Sequence, residues 1–116
     1  MRLRQIRPEA LIELTEAAEW YEEQRPGLGG ELIDEFERTL AHAADSPGTS
    51  AVVATTCSGL GVRRFRLGRF SRYAIYLVVM QGLPVVVAFE HSSRKPGYWR
   101  DRLAVTRLKK GVDFRV

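Results

Sequence analysis

Apolar residues near the start of the chain recur with the period of an amphipathic helix. Pro8 suits the first turn of such a helix, because no amide donor is needed there. The apolar positions that follow are spaced by three or four residues; they are Leu11, Leu14, Ala18 and Tyr21. The pattern predicts a helix from Pro8 to Gln24, and we expect Trp20 and Tyr21 to pack within a helix pair.

A second helical pattern follows a break at Arg25-Pro26-Gly27. It predicts a helix over about Leu28 to Asp45, ended by Ser46-Pro47-Gly48. Its apolar stripe consists of Leu28, Leu32, Phe36, Leu40 and Ala43. Because the connection is short, the two helices should form an antiparallel hairpin.

The second half of the chain has the composition of strands. Three segments are predicted to be strands: Val62 to Leu67, Arg72 to Met80 and Leu83 to Phe89. Gln81-Gly82 fits a tight hairpin turn, and Pro84 is expected at the start of its strand. On the first strand, Arg64 and Arg66 share a face with Val62, whereas Arg63 shares the other face with Phe65 and Leu67.

Three further segments have weaker patterns. Leu3 to Arg7 alternates and predicts a short strand. Residues 49–61 are predicted to be a loop with a short extended piece at Val52-Val53. A short helix from about Tyr98 to Leu108 is expected at the end.

These elements predict a single α+β domain over residues 1–116. It has an N-terminal strand, an α-helical hairpin packed on a three- to four-stranded, mainly antiparallel sheet, and a short C-terminal helix. The first strand is expected to add to a sheet edge. The hairpin should cover one face of the sheet, and the other face is expected to be partly open and lined by arginines.

Charge is divided unevenly along the chain. Residues 1–58 carry five arginines and eleven acidic residues, a net charge of −6. Residues 59–116 carry ten arginines, three lysines and three acidic residues, a net charge of +10. The clustering indicates an anionic partner for the second half.

Several classes of protein and site do not fit the composition. The single cysteine, Cys57, cannot form an internal disulfide, and no signal peptide or membrane span is predicted, so we expect a cytoplasmic protein. Neither histidine has metal-ligand spacing, and no phosphate loop is present, so we expect no metal and no cofactor. His42 is expected in a helix-end or surface role.

The candidate site consists of arginines on adjacent strands and their connections. They are Arg63, Arg64, Arg66, Arg69, Arg72 and Arg94. Guanidinium groups can stabilise the phosphate of RNA cleavage, where negative charge develops, and they can equally dock an acidic protein. A merely solvated basic face is the third interpretation.

Aromatic residues near the end of the last strand leave two interpretations each. His91 could act as a general base or could hold the turn after the strand by hydrogen bonding. Tyr98 and Trp99 could stack on bases, although for Trp99 we favour packing of the C-terminal helix on the sheet.

Six segments of the chain carry a resemblance to a known family. They are Ala17-x-x-Trp20-Tyr21-Glu22, Pro26-Gly27-Leu28-Gly29, Phe36-x-x-x-Leu40, Val62-Arg63-Arg64-Phe65, Phe70 to Tyr76, and the motif His91-x-x-Arg94-x-Pro96-x-Tyr98-Trp99-x-x-Arg102. Over about residues 3–103 the chain resembles the RelE/ParE superfamily of bacterial type II toxins. The last motif is the most specific and is similar to the ParE-like branch, the plasmid stabilisation proteins. Residues 70–73 lack the proline common there, and residues 104–116 lie beyond the motif.

The resemblance implies one of two toxin activities. RelE-like members cleave messenger RNA on the ribosome, and Arg72, Arg94 and Tyr98 match their sites by position, with His91 as a further candidate. The accompanying lysines are replaced by Arg64 and Arg66, which are too basic for proton transfer. ParE-like members inhibit DNA gyrase by binding.

We therefore expect a ParE-like toxin that stops growth by binding an essential target such as gyrase. The resemblance implies an acidic antitoxin, disordered alone, that wraps the helix hairpin and the six arginines, in an assembly such as a heterotetramer. The alternatives are a ribosome-dependent mRNA endoribonuclease and a non-toxic nucleic-acid-binding module. No membrane partner is expected.

Overall fold

Two helices pack on one face of a five-stranded sheet in the computed structural model, which describes residues 5–56, 59–94, 98, 99 and 102. The helices are α1 (Pro8–Gln24) and α2 (Leu28–Asp45), followed by a 3₁₀ turn at Pro47–Thr49. The strands are β1 (Gln5–Ile6), β2 (Val52–Thr55), β3 (Gly61–Arg66), β4 (Tyr73–Met80) and β5 (Leu83–His91). The sheet order is β1-β5-β4-β3-β2, with β1 parallel to β5 and the other pairs antiparallel. The α+β arrangement predicted from the sequence is confirmed.

Both helices have their predicted bounds, and one side chain joins them across the turn. The carboxylate of Glu22 in α1 accepts hydrogen bonds from the backbone N–H of Gly27 (2.9 Å) and of Gly29 (3.0 Å). These amides lie at the start of α2, where no helical carbonyl is available to them. The negative charge also lies at the positive end of the α2 dipole, which favours this closed hairpin.

The buried stripe of α2 is confirmed, whereas the stripe predicted for α1 is partly wrong. Leu32, Phe36 and Leu40 are fully buried, but Leu11 is 50% exposed. α1 instead buries its alanines and one leucine: Ala10, Leu14, Ala17 and Ala18. Apolar residues surround α1 on several sides near its start, so their period alone could not identify the face that meets the sheet.

Trp20 also departs from its expected place, because 55% of its surface is exposed. Its neighbour Tyr21 does pack as predicted, with its ring 5.0 Å from that of Phe70 and 6.3 Å from that of Tyr73. Of the two adjacent aromatic residues, only Tyr21 therefore packs the helix hairpin against the sheet.

The sheet has one strand more than the three or four expected. Val52-Val53, predicted as a short extended piece of a loop, belongs to β2, which pairs with β3 at the sheet edge. The register shifts between Val52 and Ala54, which leaves Val53 in a bulge. Small residues and an interrupted alternation gave this strand little signal. The Gln81-Gly82 turn is confirmed, with both residues at positive φ (55° and 80°), and Pro84 is the second residue of β5.

Both faces of the sheet are buried over β4 and β5, so the prediction of a partly open face lined by arginines is wrong for these strands and holds only at β3. Toward the helices lie Phe65, Leu67, Ile75, Leu77, Val86 and Phe89. On the far face lie Val62, Ala74, Tyr76, Val78, Val85, Val87, Ala88 and Trp99. β4 and β5 are apolar on both faces, as central strands are. Only β3 places arginines, Arg64 and Arg66, among the far-face positions.

The segment after β5 is described at three positions. Trp99 is 3% exposed and packs on the ring of Tyr76 at 4.9 Å, so its predicted packing on the sheet is confirmed. Arg102 donates its backbone N–H to the carbonyl of Trp99. The rest of the predicted C-terminal helix, residues 104–116 and Cys57 lie outside the described residues. Among the described residues, neither helix is both long and apolar enough to cross a membrane.

Adjacent glycines in α2 give a matched test of the hairpin packing. A Cβ at Gly29 would lie 2.5 Å from the carbonyl oxygen of Ala18, whereas a Cβ at Gly30 would meet nothing within 4 Å. We expect Gly29→Ala to lower the free energy of unfolding by about 2 kcal/mol through overpacking. Gly30→Ala should raise it by about 0.5 kcal/mol through helix propensity. Urea denaturation followed by circular dichroism measures both, and equal effects would contradict the close approach.

Candidate functional site

One end of the sheet collects basic residues from β3 and β5, from the connection before β4 and from the turn after β5. β3 ends at this end, β4 begins there and β5 ends there, because the three strands are antiparallel. Arg66 is paired with Ala74, Tyr73 is paired with His91, and the carbonyl of Arg72 accepts the N–H of Ser92 at 2.7 Å. We call this set the basic end; it consists of Arg64, Arg66, Arg72, His91 and Arg94.

Three guanidinium groups of the basic end have no anionic partner in the described part of the chain. Arg66, Arg72 and Arg94 are exposed and make no ion pair there. A guanidinium stays charged at any physiological pH and binds carboxylate or phosphate through two parallel hydrogen bonds. This end of the sheet therefore presents fixed positive charge to an anionic ligand.

Arg64 differs, because it belongs to a polar group on the far face. It is half-buried and paired across the strands with Tyr76, whose pKa is raised to about 12 by burial and by the nearby Glu90. Glu90 is itself only 7% exposed. Sequence reasoning did not identify Tyr76 or Glu90 as site residues. The signal for Glu90 is that it is the single acid of β5 and follows an apolar run from Leu83 to Phe89.

Arg63 and Arg69 are not brought to the basic end. The Arg63 guanidinium donates to the carbonyl of Ser50 on the helix-facing side of β3. The Arg69 guanidinium donates to Glu31 of α2 and lies 4.9 Å from the centre of the Phe70 ring. Both side chains hold the connections around β3 in place, so they are less available to a partner than Arg66, Arg72 and Arg94.

His91 holds the turn that follows β5. Its Nδ1 accepts the backbone N–H of Ser93 at 3.0 Å and lies 2.8 Å from the Ser93 hydroxyl. Since Nδ1 is an acceptor, the proton of the neutral ring is assigned to Nε2. His42 is bonded near the end of α2, with Nε2 3.3 Å from the Thr49 hydroxyl. No group of three histidine, cysteine or acidic side chains suited to a metal ion occurs in the described residues.

Tyr98 is held by a hydrogen bond to α1 as well as by its contact with Arg94 of the basic end. Its hydroxyl donates to Glu13 at 2.7 Å, and the guanidinium groups of Arg94 and Arg102 lie 5.0 Å and 4.9 Å from the centre of its ring. Burial and the Glu13 carboxylate raise the pKa of Tyr98 well above its usual value. The hydroxyl therefore remains protonated and engaged.

Glu13 is the acceptor at the centre of this arrangement. Its Oε1 accepts the backbone N–H of Phe89 and an N–H of Arg102, both at 3.0 Å, and its Oε2 accepts a second Arg102 N–H at 2.7 Å. Arg102 also donates to the carbonyl of Val87 at 3.1 Å. Burial would raise the pKa of Glu13, but its hydrogen bonds to Arg102, Phe89 and Tyr98 outweigh burial and lower it.

These bonds satisfy backbone groups of β5 in the part of that strand that the short strand β1 does not reach. β1 ends at Ile6, and the next amide, that of Arg7, donates to the carbonyl of Val86 at 2.9 Å. Beyond that point β5 has no strand neighbour on this side among the described residues, and unpaired backbone groups there would be costly to bury. The Glu13–Arg102 pair satisfies them and fixes the segment that carries Arg94 and Tyr98 against α1.

No known protein-family model matches the chain, and no curated protein or solved structure matches it. The resemblance of the motif from His91 to Arg102 to the toxin superfamily therefore rests on the chain's own residues. Of that motif, the structure places Arg94 at the basic end and Tyr98, Trp99 and Arg102 in packing contacts.

Neutralising Glu13 should destabilise the protein and change its response to acid. Glu13→Gln removes the ion pair and leaves a part-buried Arg102, so we expect a loss of about 3 kcal/mol in the free energy of unfolding at pH 7. The folded-state pKa of Glu13 lies below its ordinary value of 4.5, so its contribution is present above pH 4.5 and is lost as pH falls through the folded-state pKa. Urea titrations from pH 7 to about pH 3 should therefore show a shallower acid decline in the variant.

Glu9→Gln is the matched control on the same helix. Glu9 is exposed, with its carboxylate 3.9 Å from Arg7, so its replacement should change stability by no more than about 0.5 kcal/mol. Equal losses in the two variants would contradict the central place of Glu13.

Proposed function

We propose that the protein is the toxin component of a bacterial type II toxin–antitoxin system and acts, like ParE, by binding an essential target such as DNA gyrase. The observation that carries the proposal is the group of exposed arginines without ion-pair partners among the described residues: Arg66, Arg72 and Arg94. The resemblance of the motif from His91 to Arg102 supports it, and so does the arrangement of the helix hairpin on the sheet.

The partner that this surface suits is an acidic antitoxin segment. Its carboxylates would pair with Arg66, Arg72 and Arg94 of the basic end, which make no ion pair with any described residue. Exposed apolar residues on the helix hairpin, Leu11, Ile12 and Ile33, suit the apolar side of the same segment. A segment that folds on binding can cover both surfaces and can join two toxins in a heterotetramer.

The geometry favours binding over RNA cleavage. The Tyr98 hydroxyl is bonded to Glu13 and has a raised pKa, so it is poorly suited to transfer a proton. The other residues of the nuclease hypothesis, Arg72, His91 and Arg94, do share the basic end, which keeps a ribosome-dependent endoribonuclease as the second candidate.

Expression without an antitoxin separates these hypotheses. We expect growth arrest with filamentation and intact full-length transcripts, and we expect the purified protein to inhibit gyrase supercoiling. Rapid loss of transcripts would favour the endoribonuclease. Harmless expression would leave the non-toxic nucleic-acid-binding module.

Substitutions at the basic end test the surface itself. Arg66→Ala, Arg72→Ala and Arg94→Ala should each weaken antitoxin binding by about tenfold, with the largest loss at low ionic strength. Arg25→Ala is the control, because Arg25 is an exposed arginine in the turn between α1 and α2, where its guanidinium lies 3.7 Å from Glu31. Tyr98→Phe should retain toxicity, whereas a nuclease that uses the hydroxyl would lose it. Calorimetry and growth curves measure these outcomes, and toxicity that survives all three alanine substitutions would refute the site.

A further inference from the structure

A cleft lies on the helix side of the sheet, between α1 and the end of β5. Its volume is ≈ 240 Å³, and its walls include Glu16 and Trp20 of α1 and His91 and Arg94 beyond the sheet. Tyr73 and Phe89 also line it. The far-face group of Arg64, Tyr76 and Glu90 takes no part in this cleft.

Aromatic side chains line much of the cleft. Tyr73 stacks on Phe89 with ring centres 4.8 Å apart and an angle of 11°, and the ring of His91 meets Tyr73 edge-on at 4.9 Å. Trp20 is more than half exposed even though every other described aromatic residue of the helix side is at least partly buried. Burial in the hairpin therefore does not explain the position of Trp20, whereas a flat ligand would cover its indole.

The cleft contains an anionic and a cationic side chain that do not form an ion pair with each other. Glu16 supplies a carboxylate, and Arg94 supplies a guanidinium; both line the cleft, yet neither makes an ion pair with the other or with any further described residue. His91 has Nδ1 occupied by Ser93, which assigns its proton to Nε2 as a second donor. Glu13, the other acid of the cleft, is already neutralised by Arg102.

We propose that this cleft binds a guanine base. Guanine is flat and carries donors on one edge (N1–H and the N2 amino group) and acceptors on another (O6 and N7). A carboxylate such as Glu16 accepts from the first edge, and an arginine such as Arg94 donates in two places to the second. Trp20 stacks on the face, as aromatic residues do on unpaired bases of RNA. Adenine reverses the pattern, since it offers an amino group where guanine offers O6.

The test uses the intrinsic fluorescence of the full-length protein. The chain has two tryptophans, and Trp99 is buried on the far face, so quenching by a ligand in the cleft reports on Trp20. The probes are GMP, AMP, inorganic phosphate, and single-stranded uridine pentanucleotides with and without one central guanine. We expect saturable quenching by the guanine probes and at least about tenfold weaker binding of AMP. Binding of GMP identifies a nucleotide site, and binding of the guanine pentanucleotide alone identifies an RNA base as the source.

Matched variants assign the contacts. Glu16→Gln should weaken GMP binding by about tenfold, because the amide replaces a charged acceptor. Glu19→Gln, an exposed glutamate of the same helix outside the cleft, should leave it unchanged. Calorimetry on Trp20→Phe keeps the measurement independent of the reporter, and unchanged thermal unfolding excludes misfolding. Equal binding of GMP and AMP, competition by phosphate alone, equal effects at Glu16 and Glu19, or no binding of either guanine probe would overturn the proposal. Arg94 and His91 belong to both the cleft and the basic end, whereas Glu16 and Trp20 lie outside the basic end, so variants at these two residues test the cleft separately from toxicity.

Discussion

The four hydrogen bonds to the carboxylate of Glu13 are the contact on which the arrangement of this protein depends. They join α1, the exposed edge of β5 and the segment that contains Tyr98 and Arg102. A carboxylate with this degree of burial is costly unless every oxygen is bonded. Here both oxygens accept hydrogen bonds, and two of the four come from a guanidinium. The ion pair between Glu13 and Arg102 consequently holds Tyr98 and Arg102 against α1 and β5.

Burial of both sheet faces has a direct consequence for where charge can lie. β4 and β5 contribute apolar side chains to the helix side and the far side alike, which leaves few positions within the sheet for a solvated cation. Within the described strands, arginines then occur only in β3, next to the edge strand β2, and Arg72 and Arg94 lie in connections at strand ends. Antiparallel pairing brings Arg66, Arg72 and Arg94 from separate parts of the chain to the same end. Through this topology, basic residues from the second half of the chain form one positively charged surface.

Two adjacent aromatic residues near the end of α1 lie in different environments, one packed on the sheet and one exposed. Tyr21 is placed against Phe70 and Tyr73, whereas Trp20, its neighbour, is left at the rim of a cleft. The cleft and the basic end share Arg94 and His91, so the end of β5 and the turn after it contribute to both. The Ser93 amide that binds His91 Nδ1 orients the imidazole at the junction of the two.

Local patterns were enough to predict both helices to the residue, the β4–β5 hairpin with its turn, and the α+β class. Helical period, breakers such as Pro26 and Pro47, and runs of β-branched residues act over a few positions and need no distant partner. The buried face of α1, the strand at Val52–Thr55 and the closed far face could not be predicted, since each depends on which surface a neighbour covers. For the site, sequence clustering identified six arginines, but only the fold distinguishes Arg66, Arg72 and Arg94 from Arg63 and Arg69, whose charges are used internally. Glu13 gave no local sign of its place, because its partners Phe89, Tyr98 and Arg102 are more than 70 residues away and meet it only when the chain folds.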